Sequence, residues 1–158
     1  MNLYLKQKVF SWSDRFTVYD EFGNDRYYVD GEIFTFGKKL HLLGRDGSEV
    51  AFIYQKLFSF LPKYYISMNG FEVGEVVREF TFFKQEYTVN GLGWRVYGDF
   101  FDHEYAIYCG DDTVASVTKK WFSWGDTYSI NIADGVDEAI ALAVVLVIDA
   151  CIDTENNY

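Results

Sequence analysis

A run of ten apolar residues near the C-terminus constrains the fold of this chain more than any other feature. The run extends from Ala139 to Ile148 and contains no polar residue. As a helix it would span about 15 Å, half of the roughly 30 Å hydrocarbon core of a bilayer. Acidic residues lie at both ends, with Asp137 and Glu138 before the run and Asp149 after it. These features disfavour a transmembrane helix and indicate a segment that is buried within the protein.

The same run favours a helix over a buried strand. Four β-branched residues would permit a strand, namely Val144, Val145, Val147 and Ile148. The alanines and the acidic start instead favour a helix, with Asp134 as its N-cap and Asp137 and Glu138 facing the positive end of the dipole. A helix that is apolar on every side must be buried on every side. We therefore predict a central hydrophobic helix over residues 135–153.

An aromatic-hydroxyl-aromatic triplet recurs about every two dozen residues before that helix. The copies are Phe10-Ser11-Trp12, Phe34-Thr35-Phe36, Phe58-Ser59-Phe60, Phe80-Thr81-Phe82, a decayed copy at Phe100-Phe101-Asp102, and Phe122-Ser123-Trp124. An internal period of this length indicates a repeated supersecondary unit. We expect each triplet to mark the place where one strand passes to the next.

The first five copies are each followed by a short alternating run and then a tight-turn sequence. The turn sequences are Gly23-Asn24, Asp46-Gly47, Asn69-Gly70, Asn90-Gly91 and Gly110-Asp111. Such pairs supply the positive φ values that tight hairpins require. Beyond each turn the chain runs back toward the next triplet. Six units of two strands predict about twelve antiparallel strands over residues 1–132.

The number of strands and the apolar run together define an architecture. A sheet of about twelve strands tends to curl or close, and closure removes its exposed edges. Eight strands make a barrel that side chains can fill, whereas twelve leave a lumen that a helix can occupy. The predicted fold class is mainly β, a closed antiparallel barrel of about twelve strands around a central buried C-terminal α-helix. Residues 1–158 form a single domain.

The charge and the cysteine content limit which partners the protein can bind and in which compartment it is expected. The 14 basic and 24 acidic residues give a net charge of −10, which repels nucleic acid and anionic lipid unless the few cations cluster. Adjacent basic pairs occur at Lys38-Lys39 and Lys119-Lys120, and Lys6 lies near Lys8. Cys109 and Cys151 are expected to be buried free thiols. Because no apolar signal segment precedes Ser11, we expect a cytoplasmic protein.

Three parts of the sequence resemble the LURP-one-related family, and the resemblance covers essentially the whole chain. They are the Lys-x-Phe-Ser-Trp unit, Val29-Asp30-Gly31 followed by Ile33 to Phe36, and Lys119 to Trp124 running on to Ile132-Ala133-Asp134-Gly135 and the apolar tail. The family is similar in fold to tubby C-terminal domains and phospholipid scramblases. The resemblance therefore implies a tubby-like barrel, here in a bacterial member, and implies no defined biochemical activity.

The related folds suggest two ligands, and the residues of this chain favour neither. Scramblase relatives carry an acidic calcium-binding segment, which corresponds here to Asp126 to Asp137. Tyr128 and Ile130 occupy positions in that segment where calcium needs oxygen ligands, so its alternation indicates a strand. Tubby-like domains bind phosphoinositides through clustered cations, and the sequence shows only the lysine pairs noted above.

A search for catalytic and cofactor motifs identifies none. The sequence has no G-x-S-x-G elbow, no phosphate-binding loop and no CxxC, and Gly91-Leu92-Gly93 is an isolated G-x-G. His103 is flanked by Asp102 and Glu104, but adjacent residues of a strand point to opposite faces, so a surface histidine is expected. We therefore expect no catalytic, cofactor-binding or metal-binding residues.

The sequence thus predicts a non-enzymatic intracellular β-barrel that acts as a binding or interaction module. Its partner would be an unknown protein or lipid and not nucleic acid, and the chain would have no transmembrane segment. The alternative is a membrane-associated, phospholipid-binding or scramblase-like lipid handler.

Overall fold

The computed structural model describes residues 1–6, 15–32, 36–80, 85–122 and 125–156. Within these residues the chain forms twelve strands and one helix: β1 (Asn2–Lys6), β2 (Phe16–Asp20), β3 (Asp25–Gly31), β4 (Lys39–Gly44), β5 (Glu49–Gln55), β6 (Lys63–Met68), β7 (Phe71–Phe80), β8 (Gln85–Asn90), β9 (Trp94–Asp99), β10 (Glu104–Cys109), β11 (Asp112–Phe122), β12 (Gly125–Ile132) and α1 (Glu138–Asn156). Each strand pairs with its sequence neighbours, and β1 pairs with β12. The predicted closed antiparallel barrel of about twelve strands is confirmed.

Pairing between the first and last strands closes the barrel. β1 and β12 run antiparallel from Asn2 opposite Asn131 to Lys6 opposite Thr127. The N-terminal ammonium donates a hydrogen bond to the Ile132 carbonyl oxygen at 2.9 Å. The ladder between β1 and β2 is shorter. Within the described residues it pairs only Leu3 with Asp20 and Tyr4 with Tyr19.

The connections between strands alternate between two ends of the barrel, which have different sequences. The predicted turn pairs all lie at one end, which we call the hairpin end. Asn69 and Gly70 have φ values of 52° and 79°, as a type I′ hairpin requires. The ladders of β2–β3, β4–β5, β6–β7 and β10–β11 each shift register near this end. Such bulges bend a strand and promote closure of a barrel.

The triplets lie at the opposite end, which we call the loop end. Phe58 to Phe60 lie between β5 and β6, and Phe100 to Asp102 lie between β9 and β10. Phe36 lies between β3 and β4. The prediction that triplets mark passages between strands is confirmed at these sites. Residues 10–12, 34–35, 81–82 and 123–124 of the other copies lie outside the described residues.

The helix enters the lumen from the hairpin end and forms the centre of the core. Residues 141–150 of α1 are all buried, and Leu142, Val145 and Ile148 are completely inaccessible. Inward-facing strand residues such as Val18, Leu42 and Ile66 surround it. A helix that is apolar on all sides is thereby enclosed on all sides. No described helix combines the length and the hydropathy that crossing a membrane would require.

The start of the helix differs from the prediction. The helix begins at Glu138, and the Ile140 amide donates to the Asp137 carboxylate at 3.0 Å. Asp137 is therefore the N-cap, and the assignment of this role to Asp134 is wrong. Ala133 to Val136 form a turn in which Gly135 has a φ of 81°. This turn reverses the chain from β12 into the lumen, so the helix starts three residues later than predicted.

Candidate functional site

Two neighbouring connections at the loop end expose an unusual set of large apolar side chains. Phe36, between β3 and β4, is 75% exposed, and Leu57, between β5 and β6, is 40% exposed. Phe58 and Phe60 in the same connection are 96% and 100% exposed. Single exposed apolar residues are common on protein surfaces, whereas a cluster of this kind makes the surface a candidate binding site. The rings of Phe58 and Phe60 gain almost nothing from the folding of the barrel itself.

Backbone hydrogen bonds hold the two connections side by side. The Gln55 amide donates to the Lys38 carbonyl at 2.9 Å and so joins the two connections, and the Lys56 amide donates to the Lys63 carbonyl at 2.8 Å and closes the base of the β5–β6 connection. Gly37 has a φ of 86°, and a Cβ there would lie 2.8 Å from the Leu57 side chain. The Phe36 and Phe58 ring centroids are 6.4 Å apart. The exposed rings therefore stand on an ordered support.

The backbone at Phe58 adopts a conformation that is costly for its residue type. Its φ of 59° lies in the left-handed region, where a residue with a Cβ is disfavoured by roughly 1–2 kcal/mol relative to the right-handed one. The ring does not recover this cost by burial, because it is 96% exposed. Strain of this kind persists where function requires it. Phe58 therefore combines a left-handed backbone with a ring that the barrel does not bury.

Four lysines accompany these rings. Lys38 and Lys39 follow Phe36, and Lys56 and Lys63 flank the connection that carries Phe58. Segments 36–39 and 56–63 contain no acidic residue, although the chain has 24 in total. We refer to these residues together as the Phe/Lys patch: Phe36, Lys38, Lys39, Lys56, Leu57, Phe58, Phe60 and Lys63. The Lys63 ammonium forms a long ion pair with Glu75, at 3.8 Å.

The rest of the molecule provides a contrast in charge. The hairpin-end connections are dominated by acidic residues, with one basic residue: Glu21, Asp46, Asp111, Asp134 and Asp137 against Arg45. At the loop end, the β9–β10 connection also exposes a ring, since Phe101 is 79% exposed. Its neighbours are the acidic residues Asp99, Asp102 and Glu104. Exposed rings and clustered cations therefore coincide at the Phe/Lys patch.

A buried polar cluster lies between the helix and the β9–β10 connection. The Asp149 carboxylate on α1 is 3.4 Å from the Tyr105 hydroxyl and 3.6 Å from His103 Nδ1. Burial, followed by the Asp149 charge, raises the pKa of Tyr105 well above its usual value, so its hydroxyl stays protonated. His103 has a φ of 56°. The cluster links the C-terminal half of α1 to β10 and to the turn before it.

The expectation of a surface histidine is wrong for His103, because it lies in the turn before β10 and its side chain is only 15% exposed. Cys151 is buried as expected, whereas Cys109 is exposed, and both are free thiols. Lys119 and Lys120 lie on β11 and Lys6 ends β1, away from the patch. Lys8 lies outside the described residues.

Described residues line two open grooves on the barrel. One groove of about 580 Å³ is lined by residues that include Tyr4, Lys6, Tyr19 and Phe22. A second, of about 270 Å³, lies between β7 and the turn at Gly91. Neither adjoins the Phe/Lys patch. In the part of the chain that the structure describes, no three His, Cys, Asp or Glu side chains come together as metal ligands.

Sequence reasoning identified part of the patch and missed the rest. It singled out Lys38-Lys39 and both triplets, but it treated the triplets as markers of topology. The missing signal was that Lys56 and Lys63 enclose a triplet with two further apolar residues and no acid. Aromatic residues in a β protein are usually interpreted as core, and only the exposed fractions reveal that these rings face outward.

Comparison with known proteins identifies the family. The family model described as "LURP-one-related" matches residues 1–149. The chain is 38% identical over 149 residues to uncharacterized protein YxjI of Bacillus subtilis (strain 168), covering 94% of this chain and 92% of that protein. An X-ray structure of a protein from Arabidopsis thaliana has a TM-score of 0.70 at 19% identity, over 94% of this chain and 89% of that one. Its similarity establishes the shared fold, and the family match over residues 1–149 establishes that the chain belongs to the LURP-one-related family.

Proposed function

We propose that the chain is a non-enzymatic binding domain and that it binds through the Phe/Lys patch. The observation that carries this proposal is Phe58, whose ring is 96% exposed on a left-handed backbone. Such a residue costs folding free energy without a compensating contact inside the barrel. A partner that covers the ring would supply that contact.

The interior supports a binding role over a catalytic one. The lumen is filled by α1, and Tyr105 and Asp149 of the polar cluster are 3% and 5% exposed. A substrate would have to displace the helix to reach them. The patch itself carries lysines and apolar groups and lacks an acid-base pair. We further propose that the protein acts in the cytoplasm, because both cysteines are free thiols, as is typical of a reducing compartment.

The second candidate is a membrane-associated lipid handler, either phospholipid-binding or scramblase-like. The combination of exposed rings and lysines in the patch favours attachment to a phospholipid surface. Passage of lipid through the barrel is disfavoured, because the side chains of Leu142, Val145 and Ile148 fill the lumen. Attachment is therefore the part of this candidate that the geometry supports.

Comparing two double variants in cells tests whether the patch is the binding surface. Phe58→Ser/Phe60→Ser removes two exposed rings of the patch, and Phe22→Ser/Phe71→Ser removes two rings at the hairpin end that are 81% and 75% exposed. Each protein is expressed with an affinity tag, crosslinked in the cell and recovered with bound protein and lipid. We expect the patch variant to lose the material that wild type and the hairpin-end variant retain. Equal retention by all three proteins would contradict the proposal.

A further inference from the structure

We infer that the partner of the Phe/Lys patch is the surface of an anionic phospholipid membrane, an inference that rests on the proposed function. The patch combines two features that such a surface requires in one place. Phe58 and Phe60 are 96% and 100% exposed, and Lys56 and Lys63 lie at the two ends of the same connection. Aromatic rings favour the interface between headgroups and acyl chains, while lysines contact the phosphates.

The shape of the patch favours a deformable partner. Phe58 and Phe60 stand at the tip of a connection, and with exposures of 96% and 100% they have no wall of described residues beside them. Peptides and small ligands are bound in grooves or pockets that enclose them. Both described grooves lie elsewhere, near Phe22 and near Gly91. A convex apolar tip obtains apolar surroundings most simply by insertion into a lipid layer.

The distribution of charge supports an anionic surface and predicts an orientation. Lysines lie at the patch, whereas acidic residues dominate the hairpin end despite Arg45. A negative surface therefore attracts the loop end and repels the hairpin end. The acidic β9–β10 connection lies nearly opposite the patch around the ring of strands. The barrel should therefore tilt so that the β3–β6 side approaches the membrane first.

Sedimentation with vesicles measures this binding directly. Purified protein is mixed with vesicles of phosphatidylcholine alone or with phosphatidylglycerol added, at low and at physiological salt. We expect wild type to pellet with the anionic vesicles and more strongly at low salt. Lys39→Gln/Lys56→Gln should weaken binding about 25-fold, from about fivefold for each lysine near the surface. Phe58→Ser/Phe60→Ser should weaken it at least about tenfold.

Matched variants at the other end provide controls. Arg45→Gln removes a basic residue at the hairpin end, and Phe22→Ser/Phe71→Ser removes two exposed rings there. Both should bind anionic vesicles as wild type does. Thermal melts of every variant verify that the barrel is folded. Because none of the substituted side chains is buried, we expect these melts to show native cooperativity.

A fluorescent label reports insertion at a single position. Cys109 is the exposed thiol and Cys151 is buried, so Cys109→Ser leaves a background without an exposed thiol among the described residues. Phe60→Cys or Phe71→Cys is then introduced and labelled with an environment-sensitive dye. We expect anionic vesicles to raise and blue-shift the emission of the label at position 60 and to leave the label at position 71 unchanged.

The outcomes separate this inference from the proposed function. If wild type fails to pellet with anionic vesicles at low salt, the membrane inference is overturned, while cellular crosslinking still decides whether the patch binds a protein. If wild type pellets equally with neutral vesicles, the role of the lysines is overturned. If Phe58→Ser/Phe60→Ser pellets as wild type does, the patch is not the membrane-binding surface and the membrane inference is overturned, while the cellular crosslinking comparison still decides whether the patch binds a protein.

Discussion

Replacing Phe58 by glycine should leave the protein about as stable as wild type and more stable than the same replacement at Phe60, although glycine usually weakens a fold. A non-glycine residue in the left-handed region costs roughly 1–2 kcal/mol, and glycine removes this cost at Phe58, where φ is 59°. The larger conformational entropy of glycine in the unfolded state offsets about 0.5–1 kcal/mol of this gain in stability. The lost contact with the Phe36 ring, at 6.4 Å, is worth about 0.5 kcal/mol or less at a surface.

Phe60→Gly is the matched control, because Phe60 is 100% exposed and its backbone lies outside the left-handed region. The entropy penalty is similar at both positions, so it cancels when the two variants are compared. The difference in free energy of unfolding should be about 1 kcal/mol in favour of Phe58→Gly, which corresponds to a shift of about 2–4 °C in Tm for a chain of this size.

Urea denaturation of wild type and both variants, with vesicle binding measured in parallel, tests this reasoning. We expect Phe58→Gly to unfold at a higher urea concentration than Phe60→Gly and both to bind more weakly than wild type. A Phe58→Gly protein that is less stable than Phe60→Gly would refute the idea that the backbone at this position is strained.

Three further predictions concern the barrel. Leu146→Ala should lower the free energy of unfolding by about 2–5 kcal/mol, because truncating a side chain that is 1% exposed leaves a cavity. Urea denaturation measures this loss. A loss below about 1 kcal/mol would contradict the central role of the helix. Gly98→Ala should abolish cooperative melting in calorimetry, since its Cβ would lie 2.5 Å from the Glu104 carbonyl oxygen; a melt like that of wild type would contradict this expectation. Partial burial lowers the pKa of His41, but hydrogen bonds to Glu49 and Glu32 raise it by more, so the folded pKa lies above 6.5. The resulting stabilisation is complete below pH 6.5 and is lost as the pH rises through the folded pKa. His41→Asn should therefore lower the stability to urea at pH 5.5 and leave it nearly unchanged at pH 9. An equal loss of stability at the two pH values would exclude the ion pairs as the cause of the loss.

The architecture could be predicted from the sequence because local and long-range signals agreed. The turn pair Asn69-Gly70 specified a hairpin, the repeats set the number of strands, and the run from Ala139 to Ile148 had to be enclosed. The exact start of the helix could not be predicted, because Asp134 and Asp137 are both suitable caps. Only the tertiary path out of β12 determines which of them is used.

The candidate site was less predictable than the fold. An exposed Phe60 and a buried Tyr64 lie within five residues of each other, and the pattern of residue types does not distinguish them. The burial of Asp149 was equally unpredictable. In the sequence it follows the apolar run and suggests an exposed helix end, but in the structure it lies in the core. Exposure at the end of a barrel depends on where each strand stops, and that is decided by pairing with distant strands.

Closure by the outermost strands has a consequence for biosynthesis. The ladder between β1 and β12 joins residues that are 129 positions apart, such as Asn2 and Asn131, and the helix that fills the lumen is translated later still. The nascent chain therefore cannot complete its hydrophobic interior until residues beyond 150 have left the ribosome. Until then, β1 has an unpaired edge that other chains can join. Folding should consequently be completed only after translation, because the β1–β12 ladder and the contacts of the helix with early strands close long stretches of chain.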